Sequence, residues 1–122
     1  MAAGDFQVPL ISPAEFAKEK VKALQDAGEI QLVDVREDYE WDAGRIAGAR
    51  HVEIAVLRSE AATIDRATPV VFVCRTGARS GMAAQAFRAS GYDAYNLDGG
   101  LVAWTGHGLA LEPDGSAYVA DH

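Results

Sequence analysis

Residues 70–80 read VVFVCRTGARS, and this stretch decides the fold. Its first four residues form an apolar run of the kind found in strands that are buried on both faces of a parallel sheet. The run ends at Cys74, the single cysteine of the chain. From Ser80 onward apolar residues recur at helical spacing until Gly91, which predicts a helix with Ser80 as its N-cap. Cys74 is therefore predicted at the carboxyl end of a strand, the edge where ligands bind in open α/β sheets.

The loop after this cysteine is predicted to bind an anion. Backbone amides between the strand and the helix can converge on an anion, and the positive end of the helix dipole favours the thiolate over the thiol. A free cysteine is often a buried, inert residue, but its electropositive neighbours here favour a nucleophile. Arg75 and Arg79 are each expected to face the bound anion. The predicted substrate-binding residues are Arg75, Thr76, Gly77, Ala78, Arg79 and Ser80, with Cys74 as the catalytic residue.

Length and composition favour one small enzyme domain. The 122 residues fit a single domain, 49% of them are hydrophobic, and the net charge is -7. This charge argues against nucleic acid and anionic membranes as partners, although a small anionic substrate can still bind where the local charge is positive. A single cysteine cannot form an internal disulfide, and a working thiol suits a reducing compartment. With no signal sequence or long apolar run, we expect a cytoplasmic protein.

Strands and helices alternate along the chain. Strands are predicted at 6–11, 30–35, 50–52, 69–73 and 92–97. The first predicted helix follows a capping box at 12–15 and ends at about residue 28. Further helices are predicted at 37–43, at 53–59, at 80–90 and after 99–100. The tail at 112–122 is expected to be loosely ordered. This alternation predicts a mostly parallel sheet that is covered by helices on both sides.

Four blocks of the sequence, in this order and spacing, carry a family resemblance. They are Asp34-Val35-Arg36 with Glu40-Trp41, residues 44–49 with His51, residues 74–80, and Leu97-Asp98-Gly99-Gly100 with Ala103-Trp104 and Gly108. They resemble the rhodanese-like sulfurtransferases over nearly the whole chain. The resemblance implies a three-layer α/β/α domain with a five-stranded parallel sheet. It also implies that Cys74 cycles between thiolate and persulfide. One departure is Arg45, where many relatives have histidine.

The expected activity is sulfur transfer. The Cys74 thiolate would take the outer sulfur of thiosulfate or a similar donor and pass it to cyanide or a thiol acceptor, and a protein acceptor is left open. No cofactor or metal is expected. One alternative is a cysteine-dependent phosphatase or arsenate reductase, but those phosphatases have five residues between cysteine and arginine, and only four separate Cys74 from Arg79. The other alternative is a non-catalytic binding module on the same fold, which commonly lacks the cysteine.

Four residues of the first and last blocks are predicted to be scaffold. Asp34 and Arg36 lie in or after a strand, where such residues commonly satisfy local hydrogen bonds. Arg36 and Glu40 are four residues apart, which predicts an ion pair between them. Trp41 and Trp104 are expected in the core, because aromatic side chains bury large areas.

Overall fold

A computed structural model of the chain describes residues 9–12 and 20–112. The strands are β1 (Leu10–Ile11), β2 (Gln31–Asp34), β3 (Arg50–His51), β4 (Val70–Val73) and β5 (Ala94–Leu97). The helices are α1 (Lys20–Asp26), α2 (Asp38–Ala43), α3 (Leu57–Glu60), α4 (Ala78–Ala89) and α5 (Gly100–Gly106). The predicted capping box and the predicted tail fall largely on 13–19 and 113–122, which lie outside the described residues.

The five strands form one sheet in the order β1-β5-β4-β2-β3, and each strand pairs with its neighbours in parallel. The predicted α/β fold with a five-stranded parallel sheet is therefore confirmed. β4 lies in the centre, and its four side chains are fully buried. Burial on both faces explains why its sequence is uniformly apolar and does not alternate.

The core has two halves, one on each face of the sheet. Val70 and Phe72 point to one face and pack with α4 and with Leu57 of α3. Val71 and Val73 point to the other face and pack with Leu101 and Trp104 of α5 and with Leu24 of α1. The alternation follows from the two-residue period of a strand. Helices on both faces make the three layers that the sequence predicts, and they pack against β4 from both sides.

One predicted helix is not a continuous α-helix. The sequence predicts a single helix at 53–59, but a 3-10 turn at Ile54–Val56 leads into α3, and a second 3-10 turn follows at Ala61–Thr63. Short 3-10 segments are common at the ends of helices, and α3 between them is only about one turn long. In the part of the chain that the structure describes, every helix is too short or too polar to cross a membrane.

Candidate active site

Cys74 directly follows β4, as predicted, and it is buried, with 1% of its surface exposed. Its Sγ accepts a hydrogen bond from the Gly77 amide at 3.0 Å and a longer one from the Ser80 amide at 3.4 Å. The Ser80 hydroxyl lies 3.2 Å from the same sulfur. Two backbone amides of one short loop thus donate to the sulfur, and a hydroxyl lies within reach of it, so the loop offers hydrogen-bond donors to a charge at this position.

The loop turns into α4 earlier than the sequence predicts. Gly77 is the N-cap, with a φ of 106°, and α4 begins at Ala78. The expectation that Ser80 is the N-cap is therefore wrong, since Ser80 is the third residue of the helix. A left-handed glycine lets the chain turn tightly enough to direct its own amide at Sγ. Ser80 is then buried, and its hydroxyl faces the sulfur and not the end of the helix.

The start of α5 fixes the first two peptides of the loop. The amide of Leu101 donates to the carbonyl of Cys74 at 2.9 Å, and the amide of Val102 donates to the carbonyl of Arg75 at 3.0 Å. In a trans peptide the N–H points opposite to the C=O. The amides of Arg75 and Thr76 therefore point away from α5. Gly100 allows this close approach, since a Cβ there would overlap the same two carbonyl groups.

Asn96 of β5 bonds to the loop and to α4 through its side chain. It was not predicted from the sequence as part of the site. Its Oδ1 accepts a hydrogen bond of 2.5 Å from the Ser80 hydroxyl, and its Nδ2 donates to the carbonyl of Gly77 at 3.0 Å. The Asn96 side chain is buried, and the residue pairs with Phe72 of β4, two positions before Cys74. The available signal in the sequence was an amide side chain within a buried strand. Such a buried polar group needs hydrogen-bond partners, which here are in the loop and α4.

Glu40 of α2 is a second residue of the site that sequence reasoning missed. Its carboxylate accepts two hydrogen bonds from Arg79, at 2.7 and 3.1 Å, and one from the Glu37 amide at 3.0 Å. Burial acts to raise the pKa of Glu40, but the hydrogen bonds from Arg79 and Glu37 and the charges of Arg79 and Arg36 outweigh burial and hold the pKa below its usual value. This pair compensates one of the two positive charges of the loop. The contribution of Arg79 to anion binding stays a prediction.

Arg36 does not pair with Glu40 as predicted. Its guanidinium bonds both oxygens of Asp34 at 2.8 to 3.0 Å and the carbonyl of Gly44 at 2.7 Å. The i,i+4 spacing rule applies within a helix, and α2 begins only at Asp38, two residues after Arg36. Asp34 and Arg36 are each 1% exposed and bind one another, which agrees with the predicted scaffold role.

The rhodanese-like domain family matches residues 17–107 of this sequence. The chain belongs to the rhodanese-like family. It is 37% identical over 89 residues to the thiosulfate sulfurtransferase GlpE of Pseudomonas aeruginosa, which covers 72% of this chain and 80% of GlpE. It is 36% identical over 89 residues to YtwF of Bacillus subtilis, covering 73% of this chain and 84% of YtwF. A crystal structure of a rhodanese-related protein from Thermoplasma volcanium matches with a TM-score of 0.74 and 25% identity, over 84% of this chain and 96% of that one.

Arg45, the departure from the common rhodanese-like pattern, packs on Trp41. Its guanidinium carbon lies 5.2 Å from the ring centroid, and Nη1 donates to the Trp41 carbonyl at 3.1 Å. The ring of His51 is also stacked with the indole, at a centroid distance of 4.7 Å. Trp104 is buried in the core as predicted, whereas Trp41 is only half-buried. In the described ranges no group of three metal-ligating side chains comes together.

The remaining loop residues differ in exposure. Cys74 and Ser80 are buried, Arg75, Gly77 and Arg79 are half-buried, and Thr76 and Ala78 are exposed. The loop of this rhodanese-like domain therefore presents its middle to solvent and holds its two ends inside the protein.

Arg79→Gln is expected to destabilise the domain in a pH-dependent way. The carboxylate of Glu40 is 1% exposed, and loss of its partner should lower the free energy of unfolding at pH 7 by about 2 kcal/mol, below the usual cost of breaking a buried pair because Arg79 is 31% exposed. A carboxyl whose folded pKa is depressed stabilises the fold above its unfolded value of about 4.5, and this stability is lost as the pH falls through the folded pKa. The difference between the two proteins should therefore be largest at neutral pH and shrink below pH 4.5.

Urea unfolding at several pH values measures this difference. Arg50→Gln is the matched control, because the pair of Arg50 with Glu60 is exposed and spans 3.6 Å. The control should lose less than about 1 kcal/mol at any pH. A loss in Arg79→Gln that does not change with pH would show that Glu40 is not the group responsible.

Proposed function

We propose that this protein is a sulfurtransferase that moves a sulfane sulfur through a persulfide on Cys74, with thiosulfate or a similar anion as the donor. The observation that carries the proposal is the convergence of the Gly77 and Ser80 amides on Sγ, at 3.0 and 3.4 Å. Family membership and the similarity to GlpE support the same reaction class.

In the first half-reaction the Cys74 thiolate attacks the outer sulfur of thiosulfate. A new S–S bond forms at Sγ, the S–S bond of the donor breaks, and its electron pair leaves with sulfite. The negative charge of the enzyme moves from Sγ to the outer sulfur of the persulfide. The amides of the loop at 75–80 are then a preorganised set of donors for this charge. Once Cys74 is a thiolate, the attack needs no general base, because there is no proton to remove.

In the second half-reaction the acceptor attacks the outer sulfur. Cyanide leaves as thiocyanate, or a thiol leaves as a persulfide, and the electron pair of the broken S–S bond returns to Sγ as thiolate. One covalent intermediate shared by two half-reactions gives ping-pong kinetics. A thiol that must stay reduced suits the cytoplasm, where we place the protein.

The phosphatase alternative is less well supported. Four residues between Cys74 and Arg79 make a short loop, and the donors at Sγ approach a single atom closely. A phosphoryl group needs its oxygens on the amides and its phosphorus in line with Sγ at the same time. A misplacement of about 1 Å can cost ~100-fold in rate. Arg79, which would bind phosphate oxygens in that reaction, has both Nη atoms on Glu40.

Mass spectrometry of the intact protein tests the proposal. After exposure to thiosulfate and removal of the excess, we expect one added sulfur atom per chain, and cyanide should then restore the original mass with release of one thiocyanate. Aryl phosphates should not be hydrolysed by the same sample. Efficient hydrolysis without sulfur addition would favour the phosphatase, and inertness in both assays would favour a binding module.

A further inference from the structure

The Ser80 hydroxyl lies between two groups that can both accept its proton. Its Oγ is 2.5 Å from Asn96 Oδ1 and 3.2 Å from Cys74 Sγ. A serine hydroxyl has one proton to donate and lone pairs to accept with. A thiolate and a carbonyl oxygen both need a donor, so Ser80 can serve only one of them at a time.

The orientation of the Asn96 amide follows from its second partner. Nδ2 lies 3.0 Å from the carbonyl oxygen of Gly77, which can only accept. If the amide were flipped, two oxygens would face each other at this distance inside the protein. The carbonyl oxygen of Asn96 therefore points at Ser80, and the short contact is a bond from the hydroxyl to Oδ1.

We infer that Asn96 is a positioning residue that controls, through the Ser80 hydroxyl, how readily Cys74 exists as a thiolate. When the hydroxyl donates to Asn96, its lone pairs face the sulfur, and this arrangement suits a thiol or a sulfur without charge. When Cys74 is a thiolate, the hydroxyl must turn to the sulfur and give up its bond to Asn96. Asn96 therefore competes with the thiolate for one proton, and burial of all three groups strengthens the competition.

This inference deepens the proposed function. On formation of the persulfide the charge leaves Sγ for the outer sulfur, and the hydroxyl can return to Asn96. The Ser80 hydroxyl would then rotate from Sγ to Asn96 in the first half-reaction and back to Sγ in the second. Asn96 would stabilise the persulfide stage relative to the free thiolate and would limit the charge on the resting nucleophile.

Two glycines shape the space that Asn96 occupies. A Cβ at Gly81 would lie 3.2 Å from Asn96 Nδ2, and a Cβ at Gly77 would lie 3.6 Å from the same atom. The first contact is tighter than usual and the second is an ordinary van der Waals contact, so the absence of a side chain at Gly81 gives the amide its room against the first turn of α4. Asn96 Oδ1 lies within hydrogen-bond distance of the Ser80 hydroxyl in this position.

The rate of alkylation of Cys74 by iodoacetamide, measured against pH, tests the inference without any sulfur donor. Only the thiolate reacts, so the midpoint of the profile reports the pH at which half of Cys74 is ionised. Asn96→Leu keeps the approximate size of the side chain and removes the competing oxygen. We expect its midpoint to fall, with an alkylation rate about fivefold higher at pH values below the midpoint. Ser80→Ala removes the donor, and its midpoint should rise.

The double variant decides whether Asn96 acts through Ser80. In the Ser80→Ala background, Asn96→Leu should leave the midpoint where Ser80→Ala alone puts it. The charged groups of the surrounding elements are present in the parent protein, both single variants and the double variant, so their effects on the midpoint cancel when the four proteins are compared. They are Arg75 and Arg79 of the loop and α4, Glu40 of α2, and the Asp34 and Arg36 pair at the end of β2.

Three outcomes would overturn the inference. They are an unchanged midpoint in Asn96→Leu, a raised midpoint, which would mean that Asn96 acts by holding Gly77, and an equal shift in both backgrounds. Circular dichroism checks the fold, and Asn96→Ala replaces Asn96→Leu if the larger side chain prevents folding. Because alkylation needs no donor, a protein that fails to transfer sulfur but shows the expected midpoints would refute the proposed function alone.

Discussion

Cys74→Ser is expected to abolish sulfur transfer, with a loss of at least about 10³-fold in the rate of thiocyanate formation from thiosulfate and cyanide. A serine hydroxyl stays protonated at neutral pH and cannot form the persulfide. The Gly77 amide that bonds Sγ can donate to the new oxygen instead. The buried hydroxyl therefore has a partner, and the free energy of unfolding should change by less than about 1 kcal/mol.

Three measurements check this result. Thiocyanate formation gives the activity, intact mass after thiosulfate gives the persulfide, and urea unfolding gives the stability. Cys74→Ala serves as the matched variant, because it removes the nucleophile without adding a hydroxyl, and it should be equally inactive. Appreciable transfer by either variant would show that the sulfur does not pass through Cys74.

Gly100→Ala should have the second largest effect, on stability and activity together. Gly100 has a φ of 61°, and a Cβ there would overlap the carbonyl groups of Cys74 and Arg75. These are backbone atoms at and next to Cys74, so relief of the overlap must move either α5 or the loop. We expect a loss of about 3 kcal/mol in the free energy of unfolding, from left-handed strain and overlap combined. A displacement of about 1 Å at the loop should reduce transfer ~100-fold.

Gly28→Ala is the control that separates these two causes. Gly28 has a similar φ of 72°, but a Cβ there would meet nothing within 4 Å. It should show only the strain of the left-handed backbone, about 1 kcal/mol, and full activity per folded molecule. Equal losses of unfolding free energy in the two variants would mean that the contact of Gly100 with the loop does not contribute to stability.

The central part of the fold could be predicted because its signals are local. The apolar run of β4, the cysteine at its end and the helical spacing after it lie within one continuous stretch, and each follows from the physics of its own segment. The alternation of strands and helices then predicts a parallel sheet, since only crossover connections join parallel neighbours. All five predicted strands have a counterpart, each shorter than its prediction within the described residues.

The parts of the site that were missed depend on contacts between distant segments. Glu40 lies 39 residues before its partner Arg79, and Asn96 lies 16 residues after Ser80. No spacing rule connects them, because the sheet brings them together only when it is complete. Ser80 shows the same effect, since its preference for an N-cap is overridden by the buried sulfur and amide that use its hydroxyl. The predicted Arg36 and Glu40 pair was wrong for the related reason that one partner lies outside the helix.

The hydrogen bonds between α5 and the loop also determine when in folding the loop around Cys74 can take its final form. The carbonyls of Cys74 and Arg75 are oriented by amides from Leu101 and Val102, a loop closure of nearly thirty residues that β5 must complete first. Closing a loop of this length costs conformational entropy that its contacts repay only once they have formed. A newly made or partly unfolded chain therefore lacks the fixed loop that encloses Cys74, and the burial of this thiol is acquired only with the final packing of the domain.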